Sequence, residues 1–242
     1  PNMITLGTLC IGLSAIRFAL NERWEMAVTF ILIASVMDGI DGRIARMLGG
    51  TSKFGAELDS LADFVNFGVT PAIVLYLWMD KGAALHGFGW GLVLVFVACS
   101  VLRLARFNSA LEDEKRPKWK DNFFEGMPAP GGGAMLTWPM VIGFLAQENL
   151  GYAERYPFPV WTAALYILII GLLMVSNIPH LSIKKMRISK PYVPLILLTV
   201  VIFVAAMIAK PWISLSVIAV GYLLTIPLAS FNYIRAKRLY QS

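Results

Sequence analysis

Charge is what this sequence has least of. Asp, Glu, Lys and Arg supply 15% of its 242 residues, where a soluble domain carries about a quarter. Apolar types reach 57% and the mean hydropathy is +0.67, so an ordinary soluble enzyme is excluded and a membrane protein is implied. Histidine and cysteine are equally scarce, at two each. Cys10 and Cys99 form no CxxC pair and lie in apolar stretches, so they are expected to be small core residues without a disulfide or zinc role. His86 and His180 lie too far apart in the chain for a zinc site; they read as an outer-loop residue and a helix-end residue. No basic leader followed by a small-residue cleavage site opens the chain, so no cleavable signal peptide is expected. The first residue is Pro1, which implies that a natural start precedes it.

What is present is a series of apolar runs, each near the ~20 residues that a helix needs to cross the hydrocarbon core. Eight spans are expected, at about 3–20, 23–47, 53–79, 87–108, 129–146, 158–179, 191–208 and 212–233. They predict an all-α, polytopic helical bundle made of a single integral membrane domain over 1–242, with no trusted internal repeat. Lys and Arg orient it. Sixteen fall at the ends of spans 2, 4, 6 and 8 and the starts of 3, 5 and 7, against five on the other side. The positive-inside rule makes the first side cytoplasmic. Trp24, Trp78, Trp90, Trp161 and Trp212 fall at the opposite ends, where an aromatic belt belongs. The net charge of +6 is therefore mostly topology, with a share for anionic membrane lipids. Basic residues scattered over loop ends build no groove, so no nucleic-acid partner is expected.

Four acidic residues break the pattern. Asp38, Asp41, Asp59 and Asp63 sit on the helical ends of spans 2 and 3 rather than in loops. A carboxylate in or near the membrane is costly, and so is a functional candidate. Spacings of three and four put each pair on one helix face. The short link LGGTS makes the helices antiparallel neighbours, so the pairs face each other across a hairpin spanning 36–66. Solvated helix ends paired with Arg43 and Arg46 are the plain alternative. Four oxygen ligands without His or Cys suit a hard divalent cation, Mg²⁺ or Mn²⁺. Gly42 and Ala45 continue the Asp38 face and Gly55 precedes Asp59 on its own. Their small size leaves room for a bulky ligand, or equally serves close helix packing. Arg46, at the edge of that face, can neutralise a phosphate.

These residues read D-x₂-D-G-x₂-A-R-x₈-G-x₃-D-x₃-D, through Asp38, Asp41, Gly42, Ala45, Arg46, Gly55, Asp59 and Asp63. The pattern resembles the CDP-alcohol phosphatidyltransferase family at every fixed position. Further stretches resemble its bacterial and archaeal phosphatidylserine synthase branch: PNMIT, DFVNFGVTPA, RLARFN, FEGMPAP and VSNIPHLSIKK. Asn66 stands where that branch more often has Ser.

The resemblance implies that CDP-diacylglycerol and L-serine yield phosphatidylserine and CMP, with the diphosphate held by what are expected to be two metal ions. It implies Asp38, Asp41 and Asp59 as primary metal ligands. It makes Asp63 the best candidate for general base on the serine hydroxyl, also touching a metal. Gly42 and Ala45 would accommodate the nucleotide, with Gly55 on the same CDP-lipid surface, and Arg46 or Lys53 the phosphates. Arg103 and Arg106, with Asn108 nearby, are candidates for the serine carboxylate, or else positive-inside anchors. Glu57 is a candidate for the serine amine, or else a partner of Lys53. A homodimer is implied too, as is an inner or plasma membrane location with the site facing the cytoplasm. Other acceptors used in the family, namely glycerol phosphate, inositol or its phosphate, and choline, stay open. Membrane prenyltransferases carry their two aspartate motifs far apart in the chain, unlike this single hairpin. An ion-coupled transporter would need broken helices near mid-membrane and repeats.

Overall fold

The computed structural model describes residues 2–47, 52–80, 88–111, 123–151, 160–181 and 193–241. The first hairpin is α1 (Asn2–Leu20) and α2 (Trp24–Met47). Their contact is made by small side chains. Thr5, Thr8, Gly12, Ala15 and Ala19 of α1 are buried at alternating spacings of three and four, and this small-residue stripe lets neighbouring elements approach closely, Asn66 lying against Gly12. On α2 the facing stripe is Ala27, Ile31 and Ala34, all fully buried. Continuing that stripe by four and then three residues reaches Asp38 and Asp41. The packing of the hairpin thus turns both carboxylates inward.

Next comes one long helical rod in three parts: α3 (Lys53–Asp63), a π-helical turn (Phe64–Val69) and α4 (Thr70–Asp80). Ser52 caps α3 by accepting from the Gly55 amide at 3.0 Å, which satisfies one of the free N–H groups of the first turn. The span expected at 53–79 is present as one helical stretch, Lys53–Met79, with a π turn just after Asp63. Two close approaches accompany it. A Cβ on Gly68 would lie 2.7 Å from Ser100 Oγ, and one on Gly133 would lie 2.9 Å from the Phe67 Cα. Both neighbours come from helices distant in the chain, and local periodicity carries no trace of them. Isolated π turns inside α-helices occur often at functional sites.

The bundle is completed by α5 (Phe88–Leu111), α6 (Ala129–Leu136), α7 (Trp138–Leu150), α8 (Val160–Val175), α9 (Val193–Ala209) and α10 (Pro211–Gln241). The span expected at 129–146 is broken at Thr137, where the Thr137 hydroxyl donates to the Ala134 carbonyl at 2.8 Å and Pro139 follows in the first turn of α7. The span expected at 158–179 ends as a helix at Val175. The chain then forms β2 (Pro179–Leu181), antiparallel to β1 (Phe123–Glu125), with Phe124 opposite His180. His180 is therefore a strand residue, not a helix-end one. His86 lies outside the described residues.

The core runs through α1, α2, α4 to α8 and the π turn, with Phe67, Phe96, Leu75, Leu136 and Met140 fully buried. Cys99 is buried and free; Cys10 is free but exposed, so the expectation of a core position fails for it. It lies on the face of α1 opposite the Thr8–Gly12 stripe. Among the described residues, five helical stretches are long and apolar enough to cross a membrane: Asn2–Leu20, Lys53–Met79, Phe88–Ala110, Ala129–Asn149 and Pro211–Tyr233. Trp161–Val175 and Leu197–Ala209 are shorter apolar helices. The all-α polytopic class follows, with the short strand pair as a minor addition; the count of eight spans remains an expectation.

Candidate active site

The aspartates converge between α2 and α3. One carboxylate oxygen from each of Asp38, Asp41 and Asp59 lies within 4.8 Å of the others. That is about twice a cation–oxygen distance of ~2.0–2.6 Å, so one hard ion can touch all three. Asp41 is 3% exposed. Thr5 of α1 is its polar neighbour, yet among the described residues no well-formed hydrogen bond satisfies either of its carboxylate oxygens. Buried acceptors left in this way are costly, and a divalent cation would satisfy them. At 4.8 Å two carboxylates repel by about 3–4 kcal/mol at an effective dielectric near 20. The donor set therefore fits a hard divalent metal on charge and geometry alike.

Asp63 stands apart from this triad, one turn beyond Asp59. Its carboxyl is in hydrogen-bonding contact with Asp38 and within electrostatic reach of Asp59 and Arg103. Its Oδ1 is buried with no hydrogen-bond partner among the described residues. The arrangement thus has an end whose carboxylates fit a cation and, beside it, a carboxylate whose buried Oδ1 has no partner among the described residues.

The remaining candidates separate. Gly42 lies on the triad's helix, and among the described residues nothing stands within 4 Å of where its Cβ would be, so their packing does not require its small size. Gly39 is equally open but solvent-facing. Gly55 is more crowded, since a Cβ there would meet Asn2 Oδ1 at 3.1 Å and Ser52 Oγ at 3.2 Å. Lys53 and Glu57 are exposed on α3. The side chains of Ala45 and Arg46 lie outside the described residues.

Asn108 donates from Nδ2 to Ser60 Oγ at 3.0 Å, tying α5 to α3. Arg106 donates to the Val175 carbonyl at 2.7 Å and to Asn177 Oδ1 at 2.9 Å. It caps the carbonyl end of α8, a favourable place for a cation. Arg103 behaves differently. It is buried, donates from Nε to the Met127 carbonyl at 2.7 Å, lies over the Phe107 ring at 5.3 Å and is within electrostatic reach of Asp63. Sequence reasoning weighed the two arginines alike; their surroundings set them apart.

Reading the sequence also passed over His180 and Tyr222. The Tyr222 hydroxyl lies 2.9 Å from His180 Nδ1, and the two rings stack at 5.7 Å. His180 is 2% exposed. Burial, and secondarily the charge of Arg103, hold the imidazole pKa down to about 4, so it is neutral near pH 7. The proline before His180, which disfavours a continuing helix, was the available signal.

Comparison with known proteins agrees with this geometry. The sequence profile described as CDP-alcohol phosphatidyltransferase matches residues 1–183, and that described as CDP-alcohol phosphatidyltransferase 2 matches residues 191–227. A CDP-diacylglycerol–serine O-phosphatidyltransferase of Mycobacterium leprae is 39% identical over 96% of this chain and 74% of its own length. The protein of that name from Helicobacter pylori is 30% identical over 93% of this chain and 87% of its own. That from Methanocaldococcus jannaschii is 31% identical over 74% of this chain and 85% of its own. With its apolar helices, its carboxylate cluster and a profile match over most of its length, this chain is a multi-pass membrane enzyme that belongs to the CDP-alcohol phosphatidyltransferase family.

Proposed function

We propose that this chain is a CDP-diacylglycerol–serine O-phosphatidyltransferase and that 1–242 works as one catalytic domain. The observation that carries the reading is the gathering of Asp38, Asp41 and Asp59 beside Asp63 and Arg103, in a chain whose relatives bear that name. Mg²⁺ or Mn²⁺, two ions in this reading, bound there would neutralise the diphosphate and stabilise both the entering and the departing oxygen. Asp38, Asp41 and Asp59 hold that charge in place. Asp63, which on this reading also touches the metal, accepts the proton of the serine hydroxyl through its open Oδ1. The serine oxygen then bonds to the phosphorus that carries the diacylglycerol, the bond from that phosphorus to the CMP oxygen breaks, and CMP departs. Arg103 faces the serine carboxylate. Gly42 and Ala45 leave room for the nucleotide, and Arg46 or Lys53 meets the phosphates.

An apolar cavity of about 360 Å³ opens beside this hairpin, lined by Leu32, Val36, Met135, Val141 and Leu215 among others, and it suits an acyl chain. An acceptor panel tests the reading directly. Purified protein with CDP-diacylglycerol and divalent metal should release CMP with L-serine in strong preference to glycerol phosphate, inositol, inositol phosphate or choline. Equal or better turnover of another alcohol would refute serine as acceptor, and metal-independent turnover would refute the metal role.

Gly42 offers a second test. Because a Cβ there meets no atom of the described residues within 4 Å, Gly42→Leu should leave folding intact and lose CDP-lipid binding, whereas Gly39→Ala should be mild. Titration of CDP-diacylglycerol against both variants checks this; unchanged affinity in Gly42→Leu means that no ligand approaches there.

The site is taken to face the cytoplasm across the inner or plasma membrane, from the sixteen-to-five split of basic residues. In intact cells, with Cys10 and Cys99 replaced, a membrane-impermeant maleimide should label Glu25→Cys and not Lys53→Cys. Both positions are exposed, and the reverse pattern would invert the topology. Family likeness further implies a homodimer, to be read from the mass of the detergent-solubilised protein.

A further inference from the structure

Beyond the aspartates, the bundle holds a second polar cluster drawn from three separate elements. Arg103 comes from α5, His180 from β2 and Tyr222 from α10. The Arg103 guanidinium lies within electrostatic reach of Asp63, His180 and Tyr222. The cluster is firmly placed. Arg103 is held by the Met127 carbonyl, and Met127 is itself held by its amide, which donates to the Leu173 carbonyl at 3.1 Å. Gly126, at φ 75°, permits the turn into that segment, since a Cβ there would lie 2.5 Å from the Met174 carbonyl oxygen. His180 is fixed by pairing with β1 and by Tyr222.

One atom in this assembly is unaccounted for. His180 Nε2 is buried and has no hydrogen-bond partner among the described residues. Buried polar atoms are nearly always paired, so one left open beside a reaction centre calls for a ligand. The tautomer follows from the pairing. When the Tyr222 hydroxyl donates to Nδ1, the proton of the neutral ring resides on Nε2, which becomes a donor. A buried N–H donor next to a buried guanidinium is suited to a carboxylate.

We propose that His180, oriented by Tyr222 and working beside Arg103, is a specificity-determining residue that donates from Nε2 to the carboxylate of the amino-acid acceptor. This rests on the serine reading above and extends it. The acceptor's hydroxyl would reach Asp63 while its carboxylate lies between Arg103 and His180. Alcohols lacking a carboxylate would leave the buried donors unpaired, which rejects them more strongly than a change of shape would.

The test uses the full-length protein in lipid nanodiscs, with phosphatidylserine formation followed against L-serine and against CDP-diacylglycerol. In His180→Asn the amide nitrogen replaces Nδ1 and Nε2 is lost; in His180→Gln the amide nitrogen stands close to Nε2. His180→Asn should raise the KM for L-serine about 10- to 100-fold, the range of a hydrogen bond to a charged group, with the KM for CDP-diacylglycerol unchanged. His180→Gln should recover part of that loss. Tyr222→Phe keeps the ring stacking and should raise the serine KM alone. The preference for L-serine over serinol, which lacks the carboxylate, should shrink in His180→Asn by the same factor. Equal rises in both KM values, an unchanged serinol preference, or no recovery in His180→Gln would each show a packing role and overturn the inference while leaving serine as the acceptor. A wild-type protein that turns over a carboxylate-free alcohol in preference to L-serine would overturn both.

Discussion

Asp38→Asn, Asp41→Asn and Asp59→Asn should each abolish metal-dependent CMP release while the protein still inserts and folds. Each change keeps the shape of the side chain and removes its charge. The three oxygens gather within 4.8 Å, so every member counts toward holding a divalent ion. Loss of an outer-shell partner of a metal site costs roughly 10- to 100-fold, and loss of a charged ligand should exceed that. For Asp41 the argument is strongest, since its buried oxygens make no well-formed hydrogen bond among the described residues. Folding should not suffer, because neutralising one of three mutually repelling carboxylates relieves a repulsion. CMP release titrated with Mg²⁺ and Mn²⁺ is the measurement, alongside thermal melting in detergent. Near-wild-type turnover at saturating metal in any two variants would end the metal-site claim.

Asp63→Asn should behave differently. Asp63 lies outside the triad, touches Asp38 and keeps Oδ1 open. As the general base it should leave CDP-lipid and metal binding largely intact and slow the chemical step by ~10²–10⁴. Single-turnover rates and metal affinity measured on one preparation separate the two roles. If Asp63→Asn weakens metal affinity as much as Asp59→Asn does, and excess metal restores its rate, Asp63 is a ligand and the proton goes elsewhere. Arg103 bears on the same test. Its charge is within electrostatic reach of Asp63, so an Asp63 variant is also expected to perturb the acceptor end of the site.

Much of this site is legible in the sequence because a helix converts spacing into direction. Asp38 and Asp41 extend the buried stripe of Ala27, Ile31 and Ala34, and Asp59 of α3 meets them. Helical period gives the direction of each pair, while α3 itself is seated against α1. The π turn after Asp63 is another matter. It coincides with contacts from Ser100 and Gly133, brought there by α5 and α6, and no local pattern encodes them. Arg103 and Arg106 illustrate the same limit. They are three residues apart and chemically identical, yet one caps α8 and the other is buried against Met127 within electrostatic reach of Asp63.

By itself, then, the sequence determined the membrane-spanning all-α class, the acidic hairpin and the family, because apolar run length and helical period are local properties that survive without tertiary contacts. The three-dimensional packing alone decided three further things: the π turn, the strand that buries His180 against Tyr222, and which arginine comes within electrostatic reach of Asp63. Each depends on groups remote in the chain meeting at a few ångströms. Close approach of that kind is set by how whole helices fit together, and the order of residues along any one of them does not carry it.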